Sequence, residues 1–258
     1  MDTLHPPGDG PLLVINSVTP ELSATCGVPG GPVVHRVAPA TGHSAECLAP
    51  LVAEVLDAAG VCPTALGGVA CIRGPGSFTG IRVALATTLG LSLGAGIPMA
   101  GLDFLPLLAA TAARRATGTI VAITYARTGQ VYLQAFLADG DLMPMGPPEA
   151  LFLPAAALRV ADAAAVGPLW LVGEGANRHR NVLAAAAPLA TFPEPGDYAP
   201  DPEVVIFAAS RAAYGFDPIE PLYLRVSDAE ENLEALAALR GLSLETAQER
   251  VRRAVTDN

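Results

Sequence analysis

The sequence contains no lysine; its 15 positive side chains are all arginine. That absence excludes a Walker-type phosphate lysine, a Schiff base and a lysine general base. Charge of any kind is scarce, at 16% of residues, and the balance is acidic, with a formal net charge of -10. A chain that binds nucleic acid unaided does so largely by displacing counterions with basic side chains, so any role on RNA calls for a partner. The cysteines Cys26, Cys47, Cys62 and Cys71 form no C-x-x-C pair and no zinc-ligand spacing, and reduced thiols in the cytoplasm are expected. The opening MDTLHPPGDGP carries acidic residues where a secretory leader needs positive charge and an apolar core, so no signal peptide is expected. Ser17, Ser44 and Ser77 lie in no G-x-S-x-G elbow, and nothing locates a catalytic triad.

What the chain has in quantity is apolar surface. At 258 residues and 51% hydrophobic content it can bury a real core, and two lobes are expected. Short β-like runs at Leu12 to Ser17, Leu22 to Val28 and Gly31 to Val37 predict three consecutive antiparallel strands. Leu48, Leu51, Val52, Val55, Leu56 and Ala59 then recur at helical spacing, with Glu46 suited to the first turn and Gly60 and Pro63 as stops. A buried strand (Val69 to Ile72), a helix from Phe78 to Ala95, a strand (Pro98 to Leu102) and a helix near Asp103 to Ala116 follow. Val83 to Leu102 is uncharged and long enough to span a membrane, but Gly90, Gly94, Gly96 and Pro98 interrupt it, which reads as a helix end followed by a buried strand. From Ile120 the order repeats, with IVAITYA, VYLQAF and DLMPM as strands and Thr128-Gly129 and Asp139-Gly140 as hairpin turns. A helix near Ala150 to Ala165, the strand LWLV, the loop GEGANRHR and further helices complete the second cycle.

Between the first two of these helical regions lies RGPGSFTGIR, Arg73 to Arg82. Gly74, Gly76, Ser77, Thr79 and Gly80 make a glycine-rich loop that can cradle an anion at a helix N-terminus or turn the chain. It has no glycine-lysine continuation and does not fit G-x-G-x-x-G, so it reads as a corner that launches the helix, with Ser77 or Thr79 as cap. Within that helix Ile81, Leu85, Leu89 and Leu93 form a stripe of large side chains. Ala84, Thr87, Thr88, Leu91, Ser92 and Ala95 form a smaller one that lets another helix come close. His43 lacks a partner at ligand spacing and reads as a helix-start or interface residue. Arg178-His179-Arg180 reads as a solvated face, with anion recognition as the alternative.

The two cycles of strands and helices resemble the duplicated ribonuclease-H-like lobes of the actin, sugar-kinase and Hsp70 superfamily, an α/β architecture of two sheets flanked by helices. Within it, HSAECLAPLV, GPGSFTGIRVALATTLGLSLGAGIPMAGL, ARTGQVY, LVGEGA and PLYLRVSDA, in that order between residues 12 and 229, resemble the TsaB (YeaZ) family. Its members are bacterial subunits used in making threonylcarbamoyladenosine on tRNA. The resemblance implies a first lobe over 12–116, a second over 117–228 and a helical appendage over 229–258. It implies a cytoplasmic, non-catalytic subunit that pairs with the paralogue TsaD as a heterodimer, helps recruit TsaE and reaches tRNA only indirectly. No membrane association, cofactor, metal or catalytic residue of its own is expected. Docking is expected through the first-lobe helices, at Ser44, Cys47, Leu51, Glu54, Ala58, Ala84, Thr88, Leu91 and Ser92, with a homodimer through the same helices when TsaD is absent.

Departures from the family pattern point the same way. Asn16-Ser17-Val18 stands where the family opens with Asp-Thr-Ser, and Tyr125-Ala126-Arg127-Thr128-Gly129-Gln130 where it has Asp-Ala-Arg-x-Gly-Glu. A neutral amide supplies no charge to place a metal-nucleotide. Phe104 and Leu108 stand where the catalytic paralogue has its two metal-binding histidines, and neither can donate to a metal. The rival reading is an autonomous nucleotide-dependent enzyme, or a glycoprotease-like (M22) peptidase, of the same superfamily.

Overall fold

A computed structural model describes residues 7–40, 44–193, 199–225 and 243. Strand β1 (Leu12–Asn16) pairs antiparallel with β2 (Glu21–Gly27), which pairs antiparallel with β3 (Val33–Pro39). Helix α1 (Ser44–Ala59) returns the chain to β4 (Gly68–Gly74), parallel to β1. Helix α2 (Phe78–Ala95) leads to β5 (Met99–Asp103), parallel to β4. The sheet order is β3-β2-β1-β4-β5. After α3 (Phe104–Ala113) the pattern restarts with β6 (Gly118–Arg127), β7 (Gln130–Asp139) and β8 (Asp141–Pro144), while β10 (Leu169–Val172) runs parallel to β6. Both sheets are therefore a three-strand meander extended beside its first strand, by two parallel strands in the first sheet and by one in the second, the duplicated α/β arrangement that the resemblance implies.

Two expected elements differ. The segment that opens the predicted helix at Ala150 is strand β9 (Glu149–Phe152), paired with Gln130 to Leu133 of β7, and helix α4 covers Leu153–Ala164. Pro154 fits the first helical turn, where an N–H has no partner to lose, so the helix starts there. The segment expected as a loop, GEGANRHR, contains helix α5 (Glu174–Arg178). Gly173 turns with φ +95° and its carbonyl accepts from Asn177 N at 3.3 Å, which starts a helical turn; α6 (Arg180–Ala186) follows.

Three cores hold these layers together. α1 and α2 cover one face of the first sheet through Leu48, Val52, Val55 and Ala84 against Leu13, Ile15 and Cys71. Between the sheets, α3 and α7 (Pro202–Ser210) bury Phe104, Leu105, Leu108, Val205 and Ile206 with Val14, Ile72, Ile120 and Phe136. α4 and α6 close the outer face of the second sheet on Val121, Ile123 and Leu171. β1 and β4 thus face apolar layers on both sides, which is why they read as unbroken hydrophobic runs. α3 packs on the second sheet although it precedes it in sequence, and α7 packs on the first although it follows both. The chain through Leu224 is one compact unit. A second unit, Arg225–Asn258, falls almost wholly outside the described residues, and with it the appendage expected over 229–258.

Candidate functional site

The launching loop is a tightly packed corner. Ser77 N donates to Val18 O at 2.9 Å, the Ser77 hydroxyl accepts from Gly80 N at 3.2 Å, and Ser77 O accepts from Ile81 N at 2.8 Å. Gly80 N, one of the first-turn amides that an anion would need, is thereby taken by the cap. A Cβ at Gly76 would overlap Val18 O, and one at Gly80 would overlap Ser17 O, so these glycines admit the end of β1 against the helix start. Gly74 is buried beside Leu222, while Thr79 is exposed and Ser77 is the cap.

α2 ends at Gly96, in the left-handed conformation at φ +67°, and its length and apolar composition would suffice to cross a membrane. One side of it lies on its own sheet. Gly80, Ile81, Ala84, Thr88 and Ser92 are buried there, with Thr88 beside the Cys71 thiol and Ser92 Oγ donating to Ile97 O at 2.7 Å. This corrects the expected docking stripe: Ala84, Thr88 and Ser92 face inward and Leu91 is half-buried, because their small side chains let the helix sit close to β4. On α1, Leu51 is also buried, Cys47 is half-buried and Ala58 is exposed. Glu54 is exposed and pairs with Arg36 at 3.0 Å, and Ser44 has no described side chain. His43 lies outside the described residues.

The free side of α2 is rotated from the expected one. Thr79, Arg82, Ala86, Gly90 and Leu93 are exposed at spacings of three and four residues, which places them on one line along the helix. Leu93 is 74% exposed, and a Cβ added at Gly90 or Gly94 would meet nothing within 4 Å. Alongside, α1 exposes Ala49, Ala53 and Ala58. The signal for this face was present in the sequence: glycines inside a helix cost about 1 kcal/mol each relative to alanine and need a reason.

On the opposite face of the first sheet, Asn16, Glu21, Ser23, Thr25 and His35 line a cavity of about 40 Å³, bounded by Ala199, Pro200 and Val205. Asn16 Oδ1 accepts from Val18 N at 3.1 Å and its Nδ2 donates to Thr19 Oγ1 at 3.4 Å. His35 Nδ1 lies 2.9 Å from Thr25 Oγ1; burial, then Arg36, lowers its pKa, against an opposing pull from Asp201. Ligand pockets for small molecules and cofactors run to roughly 300–1,000 Å³, so this cavity suits water rather than a nucleotide. In the second sheet Tyr125 carries the Arg178 guanidinium 4.1 Å over its ring, and Arg127 donates to Gln130 at 3.0 Å. Arg180 lies over Phe192 at 4.5 Å, so both arginines of the Arg178-His179-Arg180 run rest on aromatic rings, while burial lowers the pKa of His179 between them. Phe104 and Leu108 are core residues, and among the described residues no three His, Cys, Asp or Glu side chains converge on a metal position.

The family described as TsaD, tRNA N6-adenosine threonylcarbamoyltransferase, matches residues 31–192. The tRNA threonylcarbamoyladenosine biosynthesis protein TsaB of Escherichia coli is 38% identical over 91 residues, 35% of this chain and 39% of that protein. The TsaB protein of Bacillus subtilis is 29% identical over 192 residues, 73% of this chain and 82% of that one. These matches thus span less than half of the first relative and most of the second. A solved structure from Pseudomonas aeruginosa, titled as an uncharacterized protein with similarity to peptidase YEAZ, superposes with a TM-score of 0.68 at 24% identity, covering 84% of this chain and 100% of that one. That likeness is one of fold, the two-sheet α/β architecture.

Proposed function

This chain belongs to the TsaD family, in its TsaB (YeaZ) branch, and on that premise we propose that it is a non-catalytic subunit for tRNA threonylcarbamoyladenosine synthesis. It docks the catalytic paralogue TsaD through α1 and α2, helps recruit TsaE, and enables threonylcarbamoyl transfer to adenosine 37 of tRNAs reading codons that begin with A. It contacts tRNA only through these partners and works in the cytoplasm.

The observation that carries the reading is the open line Thr79, Arg82, Ala86, Gly90, Leu93 on α2. The isolated chain leaves a leucine 74% exposed beside glycines whose flanks are empty. A second helix laid there buries the leucine and approaches the glycine backbone closely, as helix bundles do. Activation needs no chemistry from this chain, since a partner that binds the competent state of an enzyme raises that state's population. A neutral Asn16 over a water-sized cavity supports the non-catalytic half of the proposal.

Titration calorimetry with the TsaD of the same genome tests it, comparing the wild type with Leu93→Glu and Gly90→Leu. Loss of association without a fall in melting temperature is the expected result, with Gly90→Leu melting somewhat higher because a leucine has the better helix propensity. Association within twofold of wild type for both variants would remove the docking face.

A further inference from the structure

Strand β5 is an edge of the first sheet, and its outer side is closed at two points and open between them. Gly215 and Met99 exchange backbone bonds of 2.8 and 3.0 Å, so the chain leaving α7 meets β5 as an antiparallel neighbour at that residue pair. In the same register Ala213 would stand opposite Gly101, but no backbone bond joins them. Beyond Gly215 the chain returns as a strap to the end of β4. There Leu222 N donates to Arg73 O at 2.8 Å, and Tyr223 stacks on Phe78 at a centroid distance of 4.9 Å. Arg82 secures that end, with its Cζ 4.0 Å over the Phe78 ring and its Nε donating to the Tyr223 hydroxyl at 3.3 Å. Between the two closures is a groove of about 750 Å³, within the roughly 300–1,000 Å³ of small-molecule sites. None of its described lining residues belongs to α1 or α2, so it is independent of the docking reading above.

Strand alternation sets what the groove presents. Met99 turns its N–H and C=O away from β4 to reach Gly215, so Gly101, two residues on, turns its own outward as well. Both groups face the groove, and among the described residues neither has a partner. Half-buried peptide groups call for one. An amide fits them, because it offers an acceptor and a donor side by side. Ala100, Leu102, Leu107, Ala208 and Ala212 make the adjoining wall apolar. At the rim Asp217 and Glu220 are exposed, and among the described residues no ion pair reaches their carboxylates, whereas Arg73 is held by Asp103 at 2.7 Å. The local field favours a positive ligand.

We propose that this groove binds a small cationic amide. The carboxamide completes the missing rung at Gly101, the stem lies on the alanine and leucine wall, and the positive end meets Asp217 and Glu220. A carboxylate in place of the amide has no N–H to give to the Gly101 carbonyl and is repelled by the rim, so the same groups that select the amide reject the acid.

Isotope-labelled full-length chain is titrated with argininamide, which joins a guanidinium and a carboxamide, and with agmatine, which lacks the carboxamide. Amide spectra and melting temperatures are read for the wild type, for the double variant Asp217→Asn, Glu220→Gln, and for Ala213→Arg, an exposed position where a long cation blocks the groove without entering the core. The expected result is a saturable shift of the Gly101 amide signal by argininamide with a Kd of about 1 mM, ordinary for so small a ligand. Agmatine should bind about tenfold more weakly, for want of the two hydrogen bonds, and leave Gly101 unmoved. The double variant should weaken argininamide about tenfold and remove its salt dependence. Ala213→Arg should abolish the shift at an unchanged melting temperature. No saturable Gly101 shift at about 10 mM argininamide overturns the site. An equal Gly101 shift with agmatine overturns the recognition of the amide, and a Kd within twofold of wild type in both variants overturns the placement in this groove.

Discussion

Arg73 Nε donates to Asp103 Oδ1 at 2.7 Å, joining the carboxyl ends of the neighbouring parallel strands β4 and β5. The same arginine holds the segment that follows α7, accepting from Leu222 N through its carbonyl at 2.8 Å and donating to Glu220 O at 3.4 Å. Further along, Gly215 and Met99 exchange backbone bonds of 2.8 and 3.0 Å, so residues 215–222 run beside the edge of β5, where a groove of about 750 Å³ remains. In open α/β sheets ligands bind beyond the carboxyl ends of the strands. Here Arg73 and Asp103, at the strand ends, are committed to each other, and Arg73 also to the strap that carries Tyr223.

Arg73→Met is therefore expected to act on the strap before it acts on the fold. Both side chains of the ion pair are about one-third exposed, at 34% and 35%, so the lost stability is modest, about 1 kcal/mol. Amide hydrogen exchange is the discriminating measurement. Protection at Gly215 and Leu222 should fall while that of Val14 and Ile15 in β1 stays near the wild-type value. Unchanged protection at Leu222 would show that the strap is held without the ion pair.

Buried acids set the alkaline limit. Tyr214 has no exposed surface, burial drives its pKa far up, and its hydroxyl has no hydrogen-bond partner among the described residues. Burial likewise pushes the Cys71 thiol up to about 11 and raises Cys26. Each group is neutral when protonated and resists ionisation only in the folded state. Their contribution to stability is thus fully present below the unfolded thiol value of about 9 and is lost as pH rises toward 11. Urea midpoints measured from pH 8 upward should fall through that window. Tyr214→Phe should raise stability by about 0.5–1 kcal/mol, since it removes an unsatisfied buried hydroxyl and keeps the ring that packs against Gly68. A destabilised Tyr214→Phe would mean that the hydroxyl has a partner.

Much of this arrangement was legible in the sequence because the signals were local. Alternation and turn residues located the meanders, the Ser77 cap and Gly96 bounded α2 at Phe78 and Ala95, and the ordered blocks gave the family. The rotation of α2 about its axis was not legible. A helix that is apolar nearly all round has no period to separate the side that meets β4 from the side that meets solvent, and Ala84, Thr88 and Ser92 suit either. What decides is Cys71 on the strand beneath, a tertiary neighbour. Arg82 was likewise visible as a charge on α2, but its stack depends on Tyr223, which arrives from the far end of the chain.

Thiol labelling checks the placement of α1 and the first sheet together. Cys62 is exposed and Cys47 half-exposed, whereas Cys26 and Cys71 are buried with raised pKa values. A disulfide reagent at pH 8 should modify Cys62 quickly and Cys47 more slowly, and should reach Cys26 and Cys71 only on unfolding, because the thiolate is the reacting form. Rapid modification of Cys71 in the folded chain would contradict the burial of β4.

The glycines of α2 should separate folding from docking. At Gly80 a methyl group would overlap the Ser17 carbonyl, a backbone atom that cannot rotate away. Gly80→Ala is expected to cost about 2–4 kcal/mol as the helix start is forced off β1. At Gly90 the same methyl group would enter open space, since nothing lies within 4 Å. There the helix gains propensity, and Gly90→Ala should stabilise the isolated chain by about 0.5–1 kcal/mol. If α2 is a seam for a close-packed partner helix, that gain carries a loss, because the methyl group keeps the two backbones apart. Thermal unfolding and partner titration on both variants read the two effects independently. A Gly90→Ala chain that is more stable yet binds its partner less tightly is the expected outcome, while equal or tighter binding would place the partner's contact elsewhere on the molecule.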